Sequence, residues 1–77
     1  MSEIKDIPNV EQGIYEHFKG NQYEVLGVAL HTETLEPMIV YRPQYESSAE
    51  YWVRPYNMFF DMVEKDGWQV PRFRKVE

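Results

Sequence analysis

The chain has no cysteine among its 77 residues, which excludes a disulfide framework and a thiolate metal knuckle and leaves packing to hold the fold. No apolar run approaches the roughly twenty residues of a membrane span. The opening MSEIKDIPNVEQ has no apolar stretch behind a basic region, so no signal peptide is expected either. A cytoplasmic location with no membrane partner is the expectation. Positive charge is scarce, with eight Lys and Arg against thirteen Asp and Glu and a formal charge of -5. Nucleic-acid and anionic-membrane binding draw mostly on Lys and Arg neutralising phosphates, so this balance disfavours both.

What the chain does have is rings. Aromatic residues make up 16% of it, with two Trp, six Tyr and four Phe. A chain of this length buries only about 60% of the surface its unfolded form exposes and supports one core. Each buried ring contributes roughly 150 to 250 Å², which offsets the small size. The acidity is also uneven: residues 1–50 hold nine acids against three bases, and residues 51–77 hold four against five.

Residues 1–12 show no sustained periodicity and contain Pro8-Asn9, so they are expected to form a flexible N-terminal arm before a single domain at 13–77. "IYEHF" alternates and predicts a short strand. Gly20-Asn21 then predicts a tight hairpin turn, because both residues tolerate positive φ. "QYEVLGVALHTE" is apolar on both faces with Gly27 at its centre, which predicts a strand bent there so that its halves face different parts of one core. "MIVYR" and "YWVR" predict two more strands, ended by Pro43 and Pro55. Met58, Phe59, Met62 and Val63 then fall on one helical face, with Asn57 as N-cap and Gly67 as stop, predicting a helix of about two turns. "WQVPRF" predicts the last strand, restricted by Pro71 to an edge or bulge. The expected fold is mainly β, a small, strongly curved barrel of about five strands with one short helix before the last.

The ordered pieces "GIYEHFKGNQYEVLG", "HTETLEP", "VY", "WVRP", "MF" and "VPRF" resemble a family of short bacterial proteins known as domain of unknown function family 1653. The resemblance spans residues 13–73 and implies an SH3-like barrel and a bacterial source, with no agreed activity, cofactor or partner. Gln44, where an aliphatic residue is usual, and Asp61, where Glu is usual, depart slightly from the pattern.

Three groups of side chains could carry chemistry. His31 and Glu33 would share a strand face, and His17 could approach from the neighbouring strand to complete a two-His, one-carboxylate triad. The competing reading is a strand end with turn residues. Trp52 and Arg54 share a side of their strand and, with Tyr41, Tyr45, Tyr56, Arg72 and Phe73, suggest an aromatic groove with cationic rims. The alternative is that Trp52 and Phe73 are core and Arg54 pairs with Glu50 or Asp61. The tail "RFRKVE" is a short basic patch with one aromatic. No serine sits in a nucleophile elbow, Thr32 has no evident base, and no carboxylate pair stands out.

The sequence therefore points to a noncatalytic binding module for a small ligand, peptide or partner protein. Tyr45 and Trp52 would give apolar contact, Arg54 and Arg72 would hold an anionic group, and His17, His31, Thr32 and Glu33 would supply hydrogen bonds. No catalytic residue, metal or cofactor is expected on this reading. Two alternatives stay open: RNA or single-stranded DNA binding through the basic C-terminal part, and a small metal-dependent enzyme around His17, His31 and Glu33.

Overall fold

A computed structural model of the chain describes residues 7–77; the first half of the expected N-terminal arm, residues 1–6, lies outside the described residues. The molecule is a mainly β, SH3-like barrel domain. Strands β1 (Gly13–His17), β2 (Gln22–Leu30), β3 (Pro37–Pro43) and β4 (Trp52–Pro55) are followed by one helical turn, α1 (Tyr56–Phe59), and then by β5 (Met62–Lys65), β6 (Trp68–Pro71) and β7 (Phe73–Lys75). One antiparallel sheet has the order β4-β3-β2-β1-β7, and β5 and β6 form a separate hairpin.

The bend expected at Gly27 is present. Val25 pairs with Tyr41 but Gly27 pairs with Val40, so Leu26 is an extra residue that bulges out of the ladder. The bulge reverses the side-chain alternation. Before it, Tyr23 and Val25 point into the core; after it, Val28 packs there. The core consists of Tyr15, Tyr23, Val25, Ile39, Tyr41, Phe59 and Phe73. Five of these seven are aromatic, and Phe59 stacks on Phe73 with centroids 4.0 Å apart and planes 2° apart. Val10 also packs against this cluster.

Two expectations need correction. The helix is a single turn, capped by Pro55 without a side-chain bond from Asn57. Phe59 is buried, but Met58 and Met62 are half exposed and share no helical face. Residues 62–65 are instead the first strand of a hairpin whose two-residue loop, Asp66-Gly67, has φ of 54° and 82°. Positive φ at both loop residues is the backbone of a type I′ turn, whose twist suits paired strands. Gly67 therefore shapes a hairpin and does not stop a helix. The expected final strand is likewise two strands: β6 pairs with β5, the chain breaks at Arg72, and β7 pairs with β1.

The corner between β1 and β2 is also refined. Gly20 donates its N–H to the His17 carbonyl at 2.7 Å, and the His17 N–H reaches the Asn21 carbonyl at 2.8 Å. Phe18 and Lys19 are thus the centre of the turn. Gly20 follows with φ 108°, while Asn21 keeps a negative φ.

Candidate functional site

Five of the eight predicted contact residues converge on one face: His17, Tyr45, Trp52, Arg54 and Arg72. On β4, Trp52 lies opposite Tyr41 and Arg54 opposite Ile39, so both flank the core while Val53 faces out. Buried Tyr23 anchors the aromatic wall. Its ring contacts those of Tyr41 (5.5 Å), Tyr45 (5.8 Å) and Trp52 (6.2 Å) in centroid separation. The Tyr23 and Tyr45 hydroxyls lie 3.1 Å apart. Burial, followed by the bond to Tyr45, pushes the Tyr23 phenol up to about 12, so it stays protonated and available as a donor at neutral pH. Trp52 donates its indole N–H to Ser47 Oγ at 3.2 Å, which ties the exposed loop after β3 to this wall.

The cationic side of the face is built from β1, β4 and the approach to β7. Arg54 sits over the Phe73 ring at 5.7 Å and donates Nε–H to the Tyr41 hydroxyl at 3.4 Å. His17 lies 4.8 Å from Phe73 and 4.6 Å from Phe18 in ring separation. Its Nδ1 accepts the Lys19 backbone N–H at 3.2 Å, which places the proton of the neutral ring on Nε2. Burial, then the positive charges of Arg54, Arg72 and Lys19, hold its pKa below the ordinary histidine value. His17 is therefore a neutral donor at neutral pH.

Arg72 lies on this face with its guanidinium fork already occupied. It binds Asp61 through both Nε (2.6 Å) and a terminal nitrogen (3.0 Å), and its backbone N–H reaches the Asp61 carbonyl. The hydrogen bond from Arg72 lowers the Asp61 pKa against a partial offset from burial. Asp61 thus pairs with Arg72 and not with Arg54. Arg42 reaches one carboxylate oxygen of Glu24 through two of its nitrogens, and Arg74 reaches Glu16 through one. Of the four arginines, Arg54 alone has no carboxylate partner among the described residues.

His31, Thr32 and Glu33 do not join this face. They are exposed in the β2–β3 turn, where His31 Nδ1 accepts the backbone N–H groups of Glu33 (3.2 Å) and Thr34 (3.3 Å). His17 lies beside the start of β2 and His31 follows its end, about eight residues away, or on the order of 25 Å along an extended strand. That span overturns the expected approach of His17 to His31 and Glu33. No group of three or more His, Cys, Asp or Glu positioned to hold a metal ion occurs among the described residues. Conversely, Tyr23 and Asp61 belong to the face and were not predicted as contacts. Tyr23 shares a strand face with Val25, an alternation that marks it only as core.

A family model described as "Protein of unknown function (DUF1653)" matches residues 13–75. The chain belongs to this family. The DUF1653 domain here is also similar to the crystal structure of a DUF1653 protein from Bordetella bronchiseptica, with 31% identity, 87% of each chain covered and a TM-score of 0.81. No curated protein matches this DUF1653 chain. Among its described residues, no helix is long and apolar enough to cross a membrane.

Proposed function

We propose that this DUF1653 domain is a noncatalytic binding module that takes an anionic group of a small ligand, peptide or partner protein on its Arg54 face. The observation that carries this reading is the state of Arg54. A half-buried guanidinium, held in place by Tyr41 and Phe73, retains its terminal N–H groups without a carboxylate partner among the described residues. A partly desolvated charge of this kind gains from a bound counter-charge, and the planar fork suits a carboxylate. Trp52 and Tyr45 would cover the ligand's apolar portion, and His17 Nε2–H and the tyrosine hydroxyls would orient it. Nucleic-acid binding through the C-terminal part draws less support, because Arg72 and Arg74 are each engaged by a carboxylate.

Amide NMR of the full chain against a panel of carboxylate-bearing peptides and small molecules tests this reading. Binders are expected to shift Tyr45, Trp52 and Arg54. Arg54→Lys, which keeps the charge and loses the fork, and Trp52→Ala should each weaken binding by about tenfold or more. Folded variants that bind every hit as well as the parent does would overturn the assignment.

A further inference from the structure

A second feature lies on the other side of the β1–β2 corner from Arg54, with a lining of its own. The β1–β2 corner and the β5–β6 hairpin enclose a concavity of about 310 Å³, at the lower end of the range for small-molecule sites. Its charged lining is Lys19, Lys65, Arg74 and Glu16. Three cations against one carboxylate leave a formal charge of +2 there, in a chain whose total is -5.

The cations are not equivalent. Arg74 is engaged by Glu16 at 2.9 Å. Lys65 Nζ donates one N–H to the Phe18 carbonyl at 3.0 Å, which positions the ammonium and leaves two N–H groups for a ligand. Lys19 Nζ stands 5.9 Å from the Phe18 ring centroid. The same concavity is bounded by Phe18, Val70 and Pro71, so an apolar surface adjoins the two lysines. Gly20 adds no side chain to its wall.

We propose that this concavity binds a phosphomonoester carried on a compact aromatic or aliphatic body, with Lys19 and Lys65 flanking the phosphate and Phe18, Val70 and Pro71 covering the body. A phosphomonoester carries about -1.5 to -2 at neutral pH, which matches the local excess of positive charge. Lysine ammonium groups act on it as point charges, without the planar geometry that a carboxylate requires of arginine. This site and the Arg54 face share no lining residue, although His17 of that face touches Phe18, and neither reading rests on the other.

Phenyl phosphate is the probe, with inorganic phosphate and phenol as its two halves, titrated into the full chain and followed by amide NMR. Saturable shifts at Phe18, Lys19, Gly20, Lys65 and Val70 are expected, with phenyl phosphate binding at least about tenfold tighter than either half. A Lys19→Ala, Lys65→Gln variant, which keeps a donor for the Phe18 carbonyl, should weaken binding by about tenfold or more. Lys75→Ala, outside the concavity, should leave it unchanged. Absence of saturable shifts up to about 20 mM, or equal binding by the double variant, would overturn the proposal. Equal affinity for phenyl phosphate and phosphate would mean an adventitious ion only, and also overturns it. Shifts confined to Tyr45, Trp52 and Arg54 would refute this site while leaving the Arg54 reading intact.

Discussion

Phe59 has no exposed surface, and its ring meets those of Phe73, Tyr41 and Tyr15, the first stacked and the others edge-on. Replacing it with alanine removes most of a buried aromatic side chain, with a transfer loss of about 1.5 to 3 kcal/mol. The lost ring pairs and the residual cavity add to this, so the total cost is about 3 to 5 kcal/mol. A 77-residue domain has a total stability of roughly 4 to 12 kcal/mol. Phe59→Ala should therefore remove at least about a quarter of that stability, and all of it at the low end of the range. Phe59→Leu fills much of the volume and loses mainly the ring contacts, for a cost of about 1 to 2 kcal/mol. It should stay folded and measurable. Urea melts followed by tryptophan fluorescence and far-ultraviolet circular dichroism give both values. A cost below about 1 kcal/mol for the alanine variant would refute the placement of Phe59 at the centre of the core.

Two further outcomes follow from the β1–β2 corner. Gly20→Val forces a β-branched residue to φ 108° in open space, where no neighbour lies within 4 Å of the new Cβ; the cost is backbone strain of about 1 to 3 kcal/mol, and an unchanged melting temperature would contradict it. His17 titrates below the ordinary histidine value because the folded site disfavours its charged form, so the unfolded chain takes up the proton first. Its contribution to stability is complete above about pH 6.5. It is lost as pH falls from there toward the folded-state value and is level below it. Urea midpoints between about pH 8 and 5 should fall for the parent and fall less for His17→Asn; identical pH profiles would refute this.

Local pattern made much of the fold legible. Alternation located β1 to β4, Gly27 marked the bend in β2, and the prolines marked strand ends. The hairpin of β5 and β6 was also written in the chain, as Asp66-Gly67 between "MVEK" and "WQV". The i,i+4 spacing of Met58, Phe59, Met62 and Val63 imitated a helical face and hid it. Four apolar residues fit either period when the segment is short, and only the burial of Phe59 beside an exposed Met58 and Met62 separates the two.

For the candidate site, strand alternation was enough to nominate Trp52 and Arg54 together, since neighbours at i,i+2 share a face wherever the strand is placed; Tyr45, in the loop after β3, was named by residue type alone. Which cation remains without a carboxylate is a different kind of question. Arg54, Arg72 and Arg74 are equivalent as letters, and their partners Asp61 and Glu16 stand 11 and 58 residues from Arg72 and Arg74. The first pairing is set by the β5–β6 hairpin, whose register carries Asp61 beside Arg72, and the second by the return of β7 beside β1. The antiparallel pairing of β1 and β2 separates His17 from His31, because it sets them at opposite ends of β2. The sequence by itself thus determined a single aromatic-rich β domain, its bend and its reservoir of cations. The tertiary structure decided which arginine is left without a carboxylate among the described residues and brought Lys19 and Lys65, 46 positions apart along the chain, to the walls of one concavity, because charge pairing depends on distance in space and the fold alone sets that distance.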